Sequence, residues 1–383
     1  MLLKQSSTKL WIEAGAIALL AVLSIFVIPQ FLYSIGQGFR VGLLGRFMAL
    51  GIAALGIDLI WGYTGLLSLG HGIFFALGGY AFAMFLLLQQ LPPGQLPDFF
   101  SLNGVTELPW FWQPFAAFPF TIAAIILIPA LVAAIVSYFV FRNRIRGVYF
   151  SILTQAALIV FFNTFNSQQK WINGTNGLKT DSATIFGRVT SSIEVQWNFY
   201  LLSLFGLIGA YLLCRWLTNG RFGRLLVAIR DDEPRVRFSG YDPTGFKVLV
   251  FAISAALAGI SGALFTIQSG IITPKSMDVA ASIEMVIWVA VGGRATLVGA
   301  IVGTILVNFA KSILSEQFPA VWLFFQGGLF LLVVTALPDG IVGWVKTDGY
   351  ELFQRLRGKR QLQTYPQVDL DESLQAERQI EDK

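Results

Sequence analysis

The chain has 383 residues, of which 55% are hydrophobic and only 13% are charged, and its formal net charge is +5. The number of polar residues is too small to cover the surface of a water-soluble globule of this size. The composition therefore excludes an ordinary soluble protein and predicts one that spans a lipid bilayer. The basic residues lie in short clusters between apolar segments, which argues against a nucleic-acid-binding surface and suits signals of membrane orientation.

Hydropathy predicts an all-α integral membrane protein with about ten transmembrane helices. Several apolar runs approach the roughly 20 residues that a helix needs to cross the hydrocarbon core. The eighth run is short and is followed at once by Gly292, Gly293 and Arg294, which predicts a half-helix or a re-entrant element. The predicted spans lie near residues 10 to 33, 43 to 62, 71 to 89, 116 to 141, 147 to 165, 198 to 217, 247 to 269, 282 to 293, 297 to 315 and 319 to 337.

The distribution of arginine predicts how these helices are oriented. Ten crossings from a cytoplasmic N-terminus would place both termini, the turn after the fourth helix and the segment 218–244 in the cytoplasm. That turn and that segment are rich in arginine, whereas the opposite loop, 90–114, has no lysine or arginine. The other external loop, 166–195, holds a few basic residues and supports the orientation less well.

The sequence divides into three parts. Residues 1–42 are predicted to form an N-terminal transmembrane helix and its connection; its apolar run is too long for an ordinary signal peptide, so we expect the helix to be retained. Residues 43–340 form the transmembrane domain, with a charged, predicted cytoplasmic segment at 220–241. Residues 341–383 are charged and read as a cytoplasmic C-terminal tail.

Little in the chain suggests catalysis. It has one histidine and one cysteine, and it lacks a phosphate-binding loop of the form G-x-x-x-x-G-K-[ST]. The single cysteine, Cys214, excludes an internal disulfide and a cysteine metal site, and its apolar neighbours favour a packing role. We therefore expect a transport subunit with no catalytic residues, no metal and no cofactor of its own, with any ATP used by partner subunits.

Ionisable residues within the predicted spans have to face protein or water, because each costs about 2.5 to 3.5 kcal/mol at the bilayer centre. Glu13 and Arg46 fall near helix ends and are interpreted as snorkelling. Glu284 begins a predicted helix, where a carboxylate offsets exposed amide dipoles, and is interpreted as a cap. For Asp58 a functional role and a helix-organising role stay open.

The stretch from Trp61 to Tyr80 holds six glycines, too many for a regular lipid-facing helix. Irregular backbone at membrane depth is tolerated where it lines a cavity or packs on protein, so the stretch predicts a broken or re-entrant element near 61–71. Close helix crossing is the alternative explanation of the glycines. His71, within this bend, is interpreted as a hydrogen-bonded organiser rather than a proton carrier.

The segment from Gly220 to Tyr241 predicts a short amphipathic helix. Its apolar residues recur at helical spacing, with arginines on other faces and an acidic run followed by Pro234. Such a helix is a natural docking element for a separate motor subunit. An interfacial helix on the lipid surface stays open as the alternative.

Several stretches resemble LivM-type permeases of ATP-binding-cassette (ABC) importers, the branched-chain amino acid family. The resemblance covers about residues 43–340 and is carried by SLGHG, RGVYFSILT, NGTNG, AIRDDE and VGGRATLVG. Within that family the sequence is most similar to the urea permease branch, in WGYTGLLSLGHGIFFALGGYA, in LPDFF followed by ELPWFW, and in NGTNGL. Asp58, where the family often has Asn, and Gly72, where it often has Ala, depart from the wider amino-acid pattern.

The resemblance implies a bacterial inner-membrane permease that forms a heterodimer with a second, related subunit. The implied partners also include two cytoplasmic ATPases, a periplasmic substrate-binding protein and membrane lipid, with no nucleic acid. It assigns a translocation path to Asp58, Tyr63, Thr64, Ser68 and His71. It assigns ATPase coupling to Phe222, Arg224, Leu225, Ile229, Arg230, Asp231, Glu233 and Gly240.

The expected cargo is urea or a related small neutral amide. A zwitterion would be expected to meet fixed charges along its route, and the sequence offers few. Two alternatives stay open: the same architecture serving branched-chain amino acids, and a stand-alone channel or secondary transporter.

Overall fold

A computed structural model describes residues 15, 17–92, 95–145, 147–318, 321–336 and 340–344. In this part of the chain, eight helices are long and apolar enough to cross a membrane. Two shorter apolar helices of 14 and 15 residues accompany them, and one helix is amphipathic. The helices are α1 (Ile17–Ser34), α2 (Phe39–Thr64), α3 (His71–Gln89), α4 (Phe118–Arg142), α5 (Val148–Ser167), α6 (Ile193–Asn219), α7 (Arg221–Phe238), α8 (Pro243–Ser269), α9 (Val279–Gly292), α10 (Leu297–Gln317) and α11 (Trp322–Ala336).

Short elements complete the connections. Helix α1 includes a π-helical turn at Leu23–Val27. Two-residue strands form two antiparallel pairs, β1 with β4 and β2 with β3. The strands are β1 (Leu178–Lys179), β2 (Thr184–Ile185), β3 (Arg188–Val189) and β4 (Ile271–Ile272); the short α-helices are Asp98–Leu102, Gln169–Ile172 and Gly340–Trp344, and the 3-10 helices are Gln113–Ala116, Gly174–Asn176 and Pro274–Met277.

The all-α, multi-pass architecture predicted from hydropathy is confirmed. Every predicted span corresponds to one apolar helix, and the short eighth span is the 14-residue helix α9. The predicted N-terminal span begins in residues outside those that the structure describes. Glu13, both termini and most of the predicted tail, 341–383, also lie outside them.

Helix α8 is the centre of the bundle and packs against α2, α3 and α4. Small residues allow these helices to approach closely: the Ser261 hydroxyl donates to the carbonyl of Ala49 (2.7 Å), and Gly259 packs against Gly78. Such contacts are typical of helix packing in membranes, where apolar burial gives little drive for association. Consequently α2 and α3 are buried along most of their length, whereas α1 is largely exposed.

The arginine-rich connections lie at one end of the bundle. The ammonium of Lys247, near the start of α8, lies 5.4 Å from the ring centroid of Phe141, near the end of α4. At the other end the loops 90–114 and 166–195 meet, and the Trp112 indole donates to the carbonyl of Trp171 (2.9 Å). This arrangement agrees with the predicted orientation, in which the arginine-rich end is cytoplasmic.

Candidate functional site

A short non-helical segment interrupts the helical path between α2 and α3. Helix α2 is capped by Gly65 in the left-handed conformation (φ 72°), which glycine adopts without a steric penalty. In the irregular segment that follows, the carbonyl of Leu67 accepts from the Ser151 hydroxyl (2.6 Å) and the amide of Leu69 donates to the Thr154 hydroxyl (3.1 Å). Side chains of α5 thus satisfy backbone groups that have no helical partner, as irregular backbone inside a membrane requires.

His71 is the first residue of α3 and is buried. Its Nε2 atom shares a hydrogen bond of 2.8 Å with the Ser254 hydroxyl. Its ring meets Phe74 and Phe251 edge-on, with centroid distances of 5.7 Å in both cases. Because Ser254 lies near the middle of α8, α3 starts part-way along the bundle, and the contacts of His71 suit the predicted organising role.

Helix α9 starts beside the same point. The Gly72 amide donates to the hydroxyl of Ser282, in the first turn of α9 (3.1 Å). A Cβ atom at Gly72 would lie 2.6 Å from that hydroxyl oxygen and 3.0 Å from the Cα atom of Met277. The absence of a side chain at this position therefore permits the two helix starts to meet.

From this meeting point α3 and α9 run in opposite directions. Helix α3 follows α8 onward, and its Gly79 packs on Thr266. Helix α9 ends at Gly292 and leads into a loop in which Ala295 packs on Gly62, near the end of α2 at the arginine-rich side of the bundle. Helix α9, of 14 residues, and the interrupted pair α2 and α3 thus bring two helix N-termini together inside the bundle, as in the discontinuous helices that line substrate pathways in transporters.

Asp58 holds the loop between α9 and α10. One oxygen of this fully buried carboxylate accepts from the Ala295 amide (2.7 Å), and the Tyr63 hydroxyl donates to the Ala295 carbonyl (3.4 Å). Ala295 has a φ of 57°, in the left-handed region that residues with a side chain seldom adopt. The contacts of Asp58 fit the helix-organising role among the two that the sequence leaves open.

The structure separates the five predicted path residues into two groups. Asp58 and Tyr63 lie at the α9–α10 loop, whereas His71 lies at the start of α3. The hydroxyl of Thr64 donates to its own helix, at Ile60 (2.6 Å), and the hydroxyl of Ser68 accepts from the Gly70 amide (3.4 Å). Thr64 and Ser68 are thus engaged with the protein, whereas Oδ2 of Asp58 and Nδ1 of His71 are buried without a hydrogen-bond partner among the described residues. None of the five lines the cavity formed mainly by α2, α9 and α10.

That cavity, here called the inner cavity, has a volume of about 290 Å³. Three charged side chains line it, Arg46 from α2, Glu284 from α9 and Lys311 from α10. Neutral polar side chains, including Asn308 and Ser312, lie among them. The rest of the wall is apolar and includes Leu50, Phe75, Phe265, Met285 and Trp288.

The charged groups of the inner cavity have specific partners. Lys311 donates to both oxygens of Glu284 (2.8 and 2.7 Å). Arg46 donates through Nε to the carbonyl of Gln268 (2.9 Å), and its two terminal nitrogens have no hydrogen-bond partner within the described residues. A bound solute would therefore meet a guanidinium with free donors and a carboxylate shared with an ammonium.

The structure corrects two interpretations made from the sequence. Glu284 does not begin a helix: α9 starts at Val279, and the carboxylate is paired with Lys311 rather than capping amides. Arg46 lies within α2, which starts at Phe39, and binds the protein at Gln268 instead of only reaching for the membrane surface. Sequence reasoning missed Lys311, although it is the only charged residue in the predicted ninth span.

Helix α7 forms the predicted coupling segment in two parts. Its backbone leaves the helical conformation at Asp232 (φ −154°, ψ 86°), and the Asp232 carboxylate accepts from the Arg235 amide (3.0 Å), so it caps the second part. Pro234 falls in the first turn of that part, a position that proline tolerates. Gly240, with φ 86°, follows the end of the helix.

One face of α7 packs on the bundle and the other is exposed. The assigned residues Ile229 and Glu233 are buried, and Phe222 and Leu225 are half-buried. On the exposed face lie Arg224, Asp231 and, with 92% of its surface exposed, Phe238. A partner would therefore meet only part of the assigned set, and Ile229 is placed to position the helix.

Two contacts fix α7 to the bundle. The Arg230 guanidinium donates to the carbonyl of Gly62 (2.8 Å), and the Glu233 carboxylate forms an ion pair with Lys247 of α8 (2.5 Å). At the adjoining start of α8, hydrogen bonds from the amide and the side chain of Thr244 lower the pKa of the Asp242 carboxyl below its usual range. The Arg230 contact joins α7 directly to the end of α2, next to the non-helical segment that precedes α3.

The fold and these features define a multi-pass membrane permease with two helix N-termini meeting inside the bundle and an amphipathic helix at its arginine-rich end. Residues 39–334 match the family described as branched-chain amino acid transport system, permease component. The chain therefore belongs to the branched-chain amino acid transport permease family.

Curated relatives agree with this membership. The chain is 27% identical over 345 residues to the high-affinity branched-chain amino acid transport system permease protein LivM of Salmonella typhimurium, covering 85% of this chain and 74% of the relative. It is 27% identical over 312 residues to LivM of Escherichia coli (76% and 67%) and 24% identical over 325 residues to LivH of Escherichia coli (82% and 97%). No solved structure matches the chain significantly.

Membership confirms that the chain is an inner-membrane permease component of an ABC transporter rather than an enzyme. The resemblance to the urea branch is not supported: the relatives above are named for branched-chain amino acid transport. The alternative cargo, amino acids, agrees better with these findings.

Proposed function

We propose that this chain is a permease subunit of an ABC importer for branched-chain or similar apolar amino acids. In this proposal it pairs with a second permease subunit, receives its cargo from a periplasmic binding protein and is driven by two cytoplasmic ATPases. The names of the relatives and the resemblance of residues 43–340 to LivM-type permeases support these partners.

The inner cavity is the observation that carries the choice of cargo. Arg46, Glu284 and Lys311 supply charges of both signs, and the wall beside them, with Leu50 and Met285, is apolar. An apolar amino acid has the same combination: a carboxylate and an ammonium on one carbon and an aliphatic side chain. The cavity therefore complements such a solute in both charge and polarity.

Urea would use this cavity less well. It is neutral and needs hydrogen-bond partners but no fixed charge, and each ionised group within a membrane is costly to keep there. The sequence suggested urea because few fixed charges could be seen along the chain. The structure gathers three of them into one cavity, which removes that argument.

The position of α7 supports the proposal that separate ATPase subunits drive transport. Its exposed face carries Arg224, Asp231 and Phe238, and Arg230 links the helix to the end of α2. An exposed amphipathic helix fixed to the bundle in this way can transmit a push from a partner that hydrolyses ATP.

The test is solute uptake by the reconstituted importer. The chain, its partner permease, the two ATPases and the binding protein are assembled in proteoliposomes, and uptake of radiolabelled leucine and of radiolabelled urea is measured with and without ATP. We expect ATP-dependent accumulation of leucine and none of urea. Accumulation of urea alone would contradict the cargo, and leucine uptake at full rate without the ATPases would favour a stand-alone channel or secondary transporter.

A further inference from the structure

A second polar cavity, here called the outer cavity, adjoins the inner one. It has a volume of about 530 Å³ and lies at the end of the bundle opposite the arginine-rich connections, between the start of α2, the end of α8 and the loop before α6. Asp181, Gln196, Trp197 and Ser269 line it together with Arg46. In the predicted orientation this is the side from which cargo arrives.

Arg46 is the one residue, among those that the structure describes, that lines both cavities. Its Nε atom is fixed on the carbonyl of Gln268, so the guanidinium is anchored while its two terminal nitrogens stay free to bind. A planar guanidinium with several donors is well suited to hold a carboxylate.

Each cavity combines this shared guanidinium with one carboxylate. In the outer cavity it is Asp181, which is exposed and has no cationic partner within the described residues. In the inner cavity it is Glu284, which is paired with Lys311. Both cavities therefore offer a positive group for a carboxylate and a negative group for an ammonium.

Resting on the amino-acid cargo proposed above, we infer that Arg46 joins two successive binding sites for one zwitterion. The solute's carboxylate stays on the guanidinium while its ammonium moves from Asp181 in the outer cavity to Glu284 in the inner cavity. Moving one charge at a time avoids the penalty of exposing two unpaired charges inside the membrane together. The apolar wall of the inner cavity then receives the aliphatic side chain.

The shared role of Arg46 can be tested without measuring transport. Single-cysteine reporters are placed in the outer cavity (Ser269→Cys) and in the inner cavity (Ser312→Cys), each on a Cys214→Ala background. The assembled importer is held in lipid nanodiscs, and each thiol is reacted with an anionic and a cationic methanethiosulfonate reagent of similar size. The ratio of the two rates reports the electrostatic potential in each cavity.

We expect Arg46→Gln to lower the anionic-to-cationic rate ratio roughly tenfold at both reporters, because local potentials change ion concentrations by such factors. Arg46→Lys, which keeps the charge, should preserve the ratio and controls for a folding defect. Asp181→Asn should change the ratio only at the outer reporter, and Lys311→Gln only at the inner one. An effect of Arg46→Gln at one reporter alone would overturn the shared site.

Protection by the solute supplies the second measurement. Leucine should slow labelling of both reporters, and Arg46→Gln should abolish protection at both. Protection at one reporter only, or persistent protection in Arg46→Gln, would overturn the inference. A failure of the proposed cargo looks different: leucine would then protect neither reporter, while the charge preference of the reagents would still depend on Arg46 in both cavities.

Discussion

Two ion pairs of the same chemistry occupy different surroundings in this protein. Glu233 and Lys247 lie 2.5 Å apart with side chains only 9% and 5% exposed, and the Phe141 ring covers the ammonium. Glu284 and Lys311 lie 2.7 Å apart and both line the inner cavity; the Glu284 side chain is 11% exposed, but that of Lys311 is 40% exposed. The first pair is closed and can only hold two elements together, whereas the second is open and can exchange a partner for a solute.

Burial, rather than the pairing itself, separates an ion pair that only holds the fold from one that a solute can enter. Breaking a closed pair leaves a charge with no solvent to receive it, which strongly destabilises a protein. Breaking an open pair lets water replace the lost partner, so stability changes little. We therefore expect substitutions at closed contacts to lower the free energy of unfolding most, and substitutions of exposed side chains to lower it least.

Lys247→Met should destabilise the chain by about 3 kcal/mol, because it removes the 2.5 Å ion pair of the buried Glu233 carboxylate, which the pair with Arg237 (3.0 Å) only partly replaces. The free energy of unfolding is measured by thermal or denaturant unfolding of the purified protein in detergent. The double variant Glu233→Gln/Lys247→Met removes both charges and should recover most of the loss. Equal stability of the single variant and the parent would show that the closed pair does not hold α7.

Gly72→Ala should cost about 2 kcal/mol, because its methyl group would enter the closed junction of α3 and α9 at Ser282 and Met277. The same unfolding measurement applies. Gly209→Ala is the matched control: Gly209 lies within α6 with no atom within 4 Å of the added carbon, so its replacement should not destabilise the helix. Equal effects of the two substitutions would contradict close packing at the junction.

Glu284→Gln should change the free energy of unfolding by less than about 1 kcal/mol, since Lys311 can turn to water. Leucine uptake at low concentration should nevertheless fall roughly tenfold, because one charge-assisted hydrogen bond to the ammonium is lost. Glu284→Asp keeps the charge and should retain part of the activity. A large loss of stability with unchanged uptake would show that Glu284 and Lys311 hold the fold together and do not bind the solute.

Phe238→Ser should leave the free energy of unfolding within about 0.5 kcal/mol, because the ring contacts little of the chain. Association with the ATPases should weaken by about 2 kcal/mol, as expected for an aromatic anchor at an interface, and can be measured by co-purification at graded concentrations. Trp110→Ser, the control, removes another highly exposed aromatic (81%) at the opposite end of the bundle and should leave the association unchanged. If both variants associate normally, Phe238 lies outside the contact.

Much of the fold could be predicted because hydropathy is a local signal. Each predicted span became a helix, and the density of glycine before Tyr80 located the break between α2 and α3. The start of α9 was placed three residues late, at 282 instead of Val279. That small error made Glu284 look like a cap.

The candidate sites depend on contacts between distant residues and could not be predicted in this way. Arg46 meets the carbonyl of Gln268, and Glu284 meets Lys311, across long separations in the sequence. No periodicity in one sequence reports such pairs. The sequence favours urea for the same reason, since charges that look scattered along the chain converge on one cavity in the structure.

Helix α2 also has a mechanical consequence. At 26 residues it is a rod about 39 Å long. Arg230 donates a hydrogen bond to the Gly62 carbonyl in its last turn, and Arg46, nearer its other end, lines both cavities. A tilt of about 5° about the end held by Arg230 would move Arg46 by roughly 2 Å, enough to make or break a hydrogen bond. In the proposed importer, a small rotation of α2 at its contact with α7 would therefore change the hydrogen bonds that Arg46 can offer to a solute.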